Sequence, residues 1–497
     1  MSKRVIVIGA GISGLKAAST LYANDIKDVK VFEARNRIGG RLRTVTGFNG
    51  KQKYDLGASW HHDTLCNELF DEEVDLKGGA APFIFDDDFN VYIDKERGRI
   101  DKDPDMRLEF IDREIEKFTD MQYHQRLDVE DMSFFQLISK FLFEKKQFLT
   151  DDQIRYAPQI CRFLELWHGF DWKSLSAKET YFGHQGRNAL VLNFDAIIKR
   201  IAQSFPEEWI QLDTSINSIT RKGKEVVVTT SKGETHVADY VIVTIPQSVL
   251  ELSLATDKQI PGRIEFTPPL NKKIVKGLNS IHVGSLGKMI FEFQCATWDA
   301  KHTKIVTLAQ SSDKFARIVK NATDYDQLIK DLNILDQQQE ENCWNHPFYF
   351  INFAQINGTP SFMMLMQEPV TKYIESLNGD KNKIFEYFQP ILDKIMSTFG
   401  SDSVVNGINN DITQDGNHAI LKNILSSSWT SDPYSRGSYT ACKPGDDGWD
   451  MILAMNEGQD SRIRFAGEHT IMDGAGSVNG AWASGRNEAD YVVKQTL

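Results

Sequence analysis

The chain has 497 residues, of which 41% are hydrophobic and 25% are charged, and its net charge is -12. This length predicts two or three domains, and the composition excludes a disordered or fibrous protein. The acidic balance argues against general nucleic-acid binding and favours the attraction of cationic ligands.

The cysteines are scattered and form no CxxC pair. Their odd number and spacing predict neither a disulfide framework nor a zinc site, and they indicate a reducing compartment. The start, "MSKRVIVIGAG", runs directly into a strand without the cleavage site of a signal peptide. No apolar run reaches the ~18 residues that span a bilayer. We therefore expect a cytoplasmic protein that does not enter a membrane.

The amino-terminal residues predict a βαβ unit. Residues 4–8 are almost all Val and Ile, which is typical of a parallel strand buried on both faces. A helix is predicted from Ile12 to about Ala23, and a second strand, "VKVFEA", follows it.

From about Ala80 the pattern becomes helical. "MRLEFIDREIEKF" and "SFFQLISKFLF" carry apolar residues at helical spacing, and "TDDQ" at residues 150–153 predicts a capping box. Strands return with "EVVVTT", "ADYVIVTIP", "GKMIFEF", "PFYFINF", "SFMMLMQ" and "RIRFAG", before a last helix, "VNGAWASGRNEADYVV". The polar segments 336–345 and 406–417 are predicted loops.

A GxGxxG motif lies between the first strand and the first helix. Gly9 permits the tight turn, Gly11 lets a diphosphate approach the backbone, and Gly14 lets helix and strand pack closely. The diphosphate then lies at the positive end of the helix. Glu33 follows the second strand, where its carboxylate can accept hydrogen bonds from ribose hydroxyls. Together these features predict a dinucleotide site.

Directly after Glu33, "ARNRIGGRLRT" adds a second glycine pair followed by Arg41 and Arg43. With "YDLGASW", "ADYVIVTIPQSVL" and "RIRFAGEHT...GAGSVNGAWASGR", this stretch resembles the fingerprint of the flavin-dependent amine oxidase superfamily. The resemblance implies bound FAD. The FAD is expected to be noncovalent, because Ser438 stands where monoamine oxidases carry the cysteine that attaches the flavin. The motif and the resemblance assign to FAD the residues Gly9, Gly11, Ser13, Gly14, Glu33, Ala34, Arg35, Gly40, Arg41, Gly57, Ala58, Ser59, Trp60, Ile216, Gly467, Glu468, Gly476, Ser477 and Val478.

The fold class implied is α/β, with a Rossmann-like FAD-binding domain and an α+β substrate-binding domain. Because Rossmann-like strands return after each interruption, both domains are expected to be built from discontinuous segments. We predict residues 1–79, 190–280 and 420–497 for the FAD-binding domain. Residues 80–189 and 281–419 are predicted for the substrate-binding domain.

Five further blocks, "ASWHHDT", "FDDD", "ELWHGFDW", "YFGHQGRNA" and "DPYSRGSYTACKPGDD", resemble fungal polyamine oxidases of the spermine-oxidising type. In that family FAD oxidises a carbon next to a secondary amine, and O2 is then reduced to H2O2. The resulting imine hydrolyses, which from spermine gives spermidine and 3-aminopropanal. The expected partners are therefore a small polycationic amine and O2, with no nucleic acid and no membrane; the protein is expected to be a monomer or a homodimer.

The reacting nitrogen must be neutral, because a protonated amine has no lone pair to stabilise the forming iminium. Lys288 resembles the family lysine that holds a water near flavin N5, and its charge would disfavour a protonated amine beside it. Without the resemblance, a lone lysine beginning a strand is typical of a solvated edge. The expected catalytic residues are Lys288, His62 and Asn188. The expected substrate-binding residues are His62, Asp87, His184, Asn188, Trp167, Tyr439 and Asn479.

Some of these assignments carry alternatives. Asp87 is the predicted anchor for a distal ammonium group, whereas Asp86 and Asp88 are predicted to belong to a solvated turn. Tyr439 matches the first of two flavin-flanking tyrosines of monoamine oxidases. The second position is interpreted as Asn479, which would leave the aromatic cage incomplete.

Other functions remain open at this point. An N1-acetylpolyamine oxidase and an L-amino-acid oxidase with Arg187 holding the carboxylate are alternatives, as is a catalytically idle FAD-binding protein. Monoamine oxidase is disfavoured by Ser438 and by the missing membrane helix. A histone demethylase is disfavoured because no sustained heptad repeat is present.

His61 and His62 are adjacent in the extended stretch "GASWHHDT". Adjacent side chains of an extended chain point to opposite faces, so the pair is not expected to chelate one metal, and no metal site is predicted. We expect His62 to face the substrate and His61 to be structural.

Overall fold

The computed structural model describes residues 3–76, 81–123, 128–181, 186–338, 340–407 and 417–495. In that part of the chain no helix combines the length and apolarity that a bilayer crossing requires.

A five-stranded parallel sheet forms the first layer, and it contains the predicted βαβ unit. Strand Arg4–Ile8 pairs with Asp28–Phe32 on one side and with Tyr240–Val243 on the other, so its Val and Ile side chains are buried. Segments far apart in sequence complete the sheet. Its order is Ile210–Gln211, Asp28–Phe32, Arg4–Ile8, Tyr240–Val243 and Ile463–Phe465.

A largely antiparallel eight-stranded sheet forms the second unit. Its order is Val404–Asn406, Ala419–Ser426, Gly287–Phe293, Ser361–Met366, Phe348–Asn352, Lys304–Thr307, Val91–Asp94 and Gly98–Arg99. Strand Ala419–Ser426 pairs with Gly287–Phe293, so the domain boundary predicted at residue 420 falls inside a strand of this sheet. The domain ranges otherwise stay a prediction.

The described residues also form smaller sheets. A four-stranded sheet has the order Thr235–Ala238, Glu225–Thr230, Ile216–Lys222 and Glu265–Thr267. A three-stranded sheet has the order Trp60–His61, Ala189–Val191 and Phe83–Phe85. Two strand pairs complete the set: Thr44–Thr46 with Lys53–Asp55, and His282–Val283 with Thr440–Ala441.

The α-helices include most of those expected from periodicity. The box at residues 150–153 is confirmed, because the Thr150 hydroxyl accepts from Gln153 N and the Gln153 side chain returns to the Thr150 backbone. The described helices are Ile12–Ala23, Glu68–Val74, Ile111–Tyr123, Phe134–Lys145, Asp151–Cys161, Glu165–His168, Ala177–Thr180, Phe194–Ala202, Gln247–Leu250, Lys272–Leu278, Asp313–Asn321, Tyr325–Gln337, Phe353–Asn357, Val370–Ser376, Lys381–Thr398, Gly448–Glu457 and Val478–Lys494.

The first and the last helix pack against each other at very close range. A Cβ atom on Gly485 would lie 2.0 Å from the carbonyl oxygen of Ser13, so only glycine fits there. Gly14 is equally constrained, since its Cβ would lie 2.0 Å from the carbonyl oxygen of Gly9. The close helix–strand packing predicted for Gly14 is therefore confirmed. The protein is a mixed α/β fold, as expected.

Candidate functional site

A cavity of about 1370 Å³ runs from the carboxyl ends of the parallel strands to the second sheet. Sites for a single small ligand are commonly about 300–1,000 Å³. The space is therefore sufficient for a large cofactor together with a second molecule. Both the glycine-rich motif and Lys288 line it, which places the two predicted sites in one cavity.

The glycine motif forms a bare backbone surface at one end of the cavity. Gly11 caps helix Ile12–Ala23 without any side-chain hydrogen bond, so the first-turn N–H groups keep their donor capacity. A Cβ on Gly11 would meet only Gly40 Cα, at 3.9 Å. A Cβ on Gly40 would lie 3.2 Å from Gly11 Cα. Because neither residue of this pair has a side chain, space remains for a diphosphate at this point.

Glu33 is a buried carboxylate at the end of strand Asp28–Phe32, with 4% of its surface exposed. One of its oxygens accepts from Ala10 N at 2.8 Å and the other from Arg35 N at 2.9 Å. Both bonds hold the carboxylate beside the glycine turn, where it could accept hydrogen bonds from ribose hydroxyls. The buried acid and the bare helix end fit a dinucleotide such as FAD.

A second buried acid, Glu468, lies after strand Ile463–Phe465. Arg41 donates to one oxygen at 2.9 Å, and the Thr440 hydroxyl donates to the other at 2.7 Å. Burial alone would raise the pKa of the Glu468 carboxyl, but the neighbouring Arg41 holds that pKa below its ordinary value. Arg41 also donates to the Ser438 carbonyl at 2.7 Å and so connects three chain segments.

The structure brings the predicted FAD residues together along this cavity. Gly14 is the exception: it packs the helix on the strand instead of lining the cavity. The lining contains Gly9, Gly11, Ser13, Glu33, Ala34, Arg35, Gly40, Arg41, Gly57, Ala58, Ser59, Trp60, Ile216, Gly467, Glu468, Gly476, Ser477 and Val478.

Lys288 lies in strand Gly287–Phe293 and is only 5% exposed, so the solvated-edge alternative is wrong for this side chain. Its Nζ donates to the carbonyls of Asp55, at 3.3 Å, and Gly57, and to the Ser59 hydroxyl. Three acceptors match the three N–H groups of an ammonium ion. Burial nevertheless lowers the pKa of Lys288 to about 7, and the charge of Asp55 opposes that shift.

Aromatic side chains extend the cavity wall from Lys288, beginning with Trp60. The Trp60 ring centroid lies 5.1 Å from Lys288 Nζ and 6.2 Å from the Trp167 ring. Tyr439 donates its hydroxyl hydrogen to the Trp167 carbonyl, and burial raises the pKa of this phenol. All three rings line the cavity, where they provide apolar surface for methylene groups and π faces for cations.

His62 and Asn188 face the same cavity, and His62 Nδ1 lies 3.1 Å from the Asn188 amide oxygen. His61 points elsewhere and packs between Phe70 and Phe194. Burial lowers the pKa of His61 to about 4. The neighbouring histidines thus diverge as expected for an extended chain. His184 lies outside the described residues.

The acidic run at residues 86–88 differs from the expectation. Both carboxylate oxygens of Asp87 bind Arg187 at the surface, and Asp87 is absent from the cavity lining among the described residues. Asp86, expected in a solvated turn, is half-buried and accepts from Trp60 Nε1 at 3.0 Å while pairing with Lys304 at 2.9 Å. Asp86, rather than Asp87, therefore contacts a cavity residue.

Asn479 also differs from its predicted role. Its side-chain oxygen accepts from the Ser477 hydroxyl at 2.6 Å, inside the first turn of helix Val478–Lys494. Ser477 and Val478 line the cavity, whereas within the described residues Asn479 is not part of the lining. The helix rotation, which a motif alignment does not display, decides which of these neighbouring positions faces the cavity.

Several cavity residues were not singled out from the sequence. His168, Trp429 and His469 line the cavity, and the backbone carbonyl of Asp55 accepts a hydrogen bond from Lys288. Thr244 donates its hydroxyl hydrogen to the carbonyls of Ile8, at 2.9 Å, and Gly9, at 3.1 Å. A threonine directly after a buried strand was the available signal for Thr244. An acid inside "KYDLG" was the signal for Asp55.

Carboxylates are frequent in the rest of the lining. Besides Glu33 and Glu468, the described acidic residues that contact the cavity are Asp63, Glu116, Glu179, Asp447 and Asp473. Lys178 is also present, 3.6 Å from Glu179. The excess of negative charge favours a cationic ligand in this space.

The model of the family "Flavin containing amine oxidoreductase" matches residues 12–493. A corticosteroid-binding protein of Candida albicans is 33% identical, over 99% of this chain and 96% of its own length. Polyamine oxidase 4 of Oryza sativa subsp. japonica is 27% identical, over 99% and 89% respectively. Lysine-specific histone demethylase 2 of Homo sapiens is 26% identical over 99% of this chain, which covers 53% of the human protein.

Proposed function

The chain belongs to the family of flavin-containing amine oxidoreductases, and from that premise we propose that it oxidises spermine-like polyamines. Members of this family bind FAD, and the buried acids and bare glycine turn fit that cofactor. When bound, FAD supplies the acceptor for a hydride from the carbon next to an amine, with O2 as the final acceptor. The imine product would hydrolyse to spermidine and 3-aminopropanal.

The observation that carries this proposal is the burial of Lys288 in the cavity wall. A cation at this position disfavours the protonation of a neighbouring amine to an ammonium ion, which keeps the reacting nitrogen neutral. The rings of Trp60, Trp167 and Tyr439 limit the access of water to that nitrogen. His62 and Asn188 offer hydrogen bonds to the same substrate.

The charge of the remaining lining supports a substrate with several ammonium groups. Glu116, Glu179 and Asp447 are suited to the distal nitrogens, whereas Asp87 is occupied by Arg187. The same pairing weakens the L-amino-acid alternative, because Arg187 binds Asp87 at the surface instead of offering its charge to a substrate carboxylate.

Anaerobic mixing tests the proposal. The purified holoprotein is combined separately with spermine, spermidine, N1-acetylspermine and a monoamine, and the oxidised flavin band is followed. A corticosteroid serves as an uncharged ligand, chosen from the name of the Candida relative. We expect spermine to bleach the band most rapidly. Bleaching by N1-acetylspermine alone would favour that alternative, and a band that no amine bleaches would leave an idle FAD-binding protein.

Lys288→Met tests the role of the lysine in the same assay. We expect slower bleaching with unchanged FAD content, since the residue faces the amine and the bonds described for FAD lie elsewhere. Lys178→Met is the matched control, because Lys178 lines the cavity but is exposed. Equal rates in wild type and Lys288→Met would remove Lys288 from the mechanism.

A further inference from the structure

Asp55 is a buried acidic residue whose backbone contacts Lys288. It ends strand Lys53–Asp55 and is 3% exposed, and its backbone carbonyl accepts from Lys288 Nζ at 3.3 Å. The next residues, Leu56 to Ser59, carry the other acceptors of that ammonium group. The segment from Asp55 to Ser59 therefore provides the hydrogen-bond acceptors that hold the Lys288 ammonium group.

The carboxylate of Asp55 is held from the opposite side. The Thr44 hydroxyl donates to one oxygen, and Phe194 N lies 3.2 Å from both. Phe194 is the first residue of helix Phe194–Ala202, whose N-cap, Asn193, makes no side-chain cap. The positive end of this helix stabilises a negative charge on Asp55.

We propose that Asp55 is a positioning residue that sets the charge of Lys288 at the cavity wall. The inference rests on the proposed function, in which Lys288 faces the reacting amine. Asp55 acts in two ways. Its carboxylate supplies a negative charge that favours the protonated form of Lys288, and its backbone carbonyl is one of the acceptors that orient the ammonium group. Asp55 itself does not touch the substrate.

Charged groups act on both members of this pair in the described part of the chain. The charge of Asp55 acts on Lys288. Lys288 and Asp195 act on Asp55, and Asp195 is partly neutralised by Lys199 at 3.1 Å. Burial raises the pKa of Asp55 to about 6, against the effects of Thr44, Lys288 and Phe194 N. Removing the carboxylate charge must therefore lower the pKa of Lys288 further.

The first experiment isolates the titration of Lys288. The rate of anaerobic flavin reduction by spermine is measured against pH for wild type and Lys288→Met, and their ratio gives a midpoint that belongs to the lysine. The same ratio is taken between Asp55→Asn and Asp55→Asn/Lys288→Met. We expect the second midpoint to be lower by about one pH unit. Equal midpoints would overturn the proposal.

Asp195→Asn is the matched control, because it removes a carboxylate from the first turn of the same helix. Its midpoint should stay near that of wild type. Thr44→Val provides a second route if Asp55→Asn does not fold. It keeps the carboxylate but removes the hydroxyl that favours its charge, so the midpoint should move down by a smaller amount.

A second experiment uses the holoprotein at a fixed excess of FAD and does not depend on any amine. Urea unfolding of wild type, the two single variants and the double variant forms a double-mutant cycle at pH 6.5. We expect non-additive effects, because each substitution removes the partner of the other. Additive effects would overturn the Asp55 proposal even if spermine reduces the flavin. Conversely, non-additive effects would support it even if no amine does.

Discussion

The imidazole Nδ1 of His62 lies 3.1 Å from the amide oxygen of Asn188, on a wall of the same cavity that Lys288 lines. An amide oxygen only accepts, so this contact places the proton of the neutral imidazole on Nδ1 and makes Nε2 the acceptor nitrogen. An acceptor is suited to the N–H of a neutral amine. In the proposed function, the pair would orient a hydrogen-bond partner of the reacting nitrogen.

Asn188→Ala removes the oxygen that selects this tautomer. We expect the KM for spermine to rise about ten-fold with a smaller change in kcat, which corresponds to the loss of about one hydrogen bond. Steady-state oxygen consumption measures both constants. Asn193→Ala is a suitable comparison because the Asn193 side chain makes no capping bond. A KM as low in Asn188→Ala as in this control would contradict the role of the pair.

Alanine substitutions at Gly11 and Gly14 are expected to affect different properties, namely FAD binding and folding stability. A methyl group on Gly11 would meet only Gly40 Cα at 3.9 Å, whereas one on Gly14 would lie 2.0 Å from a backbone oxygen. We expect Gly11→Ala apoprotein to unfold like wild type but to lose FAD affinity, because the methyl group occupies the diphosphate approach. Gly14→Ala should lose about 1–3 kcal/mol of unfolding free energy. Urea unfolding measures the stability of each variant, and FAD fluorescence titration measures its affinity for FAD. Tight FAD binding by Gly11→Ala would contradict the expected approach of the diphosphate to Gly11.

Arg41→Met leaves the buried Glu468 carboxylate without its cation. We expect an unfolding free energy lower by about 3 kcal/mol and weaker retention of FAD, since breaking one side of a buried pair strands the other charge. Chemical unfolding and the flavin content after gel filtration measure the two effects. Arg43→Met is the matched control, because Arg43 is exposed. If both variants behaved alike, the pair would have no special part in the site.

We expect His61 to make the unfolding free energy of the protein sensitive to acid. Burial lowers the pKa of His61 to about 4 from 6.5, so the unfolded chain binds more protons between those pH values. The stability that neutral His61 provides is present above pH 6.5 and is lost as the pH falls towards 4. We expect His61→Leu to reduce this loss by up to about 3 kcal/mol. Urea unfolding at pH 7 and pH 4.5 tests it; parallel losses in both proteins would assign the acid sensitivity to other groups.

The sequence predicted the cofactor end of the site more completely than the substrate end. The βαβ unit, the bare Gly11 turn and the buried Glu33 depend on local periodicity and short spacing, which a single chain displays directly. Lys288 was placed by resemblance, since its own position beginning a strand suggested solvent. Burial by the neighbouring strands of the eight-stranded sheet, rather than any local feature, decides its environment.

The differences arise where partners are distant in the chain. Asp87 was expected to bind an ammonium group of the substrate, but it forms an ion pair with Arg187. The three-stranded sheet brings the segment of Arg187 beside Asp87. Asp86 is half-buried for a similar reason, because it pairs with Lys304 of the larger sheet. Which of three adjacent acids faces a cavity is set by such pairings, and no periodicity in "FDDD" encodes them.

The close packing of Ser13 against Gly485 has a consequence for biosynthesis. Helix Ile12–Ala23 is synthesised long before helix Val478–Lys494, against which it packs. During translation this contact therefore forms only after the later helix has left the ribosome. We expect a chain that lacks helix Val478–Lys494 to be disturbed at the distant glycine turn and to retain FAD poorly.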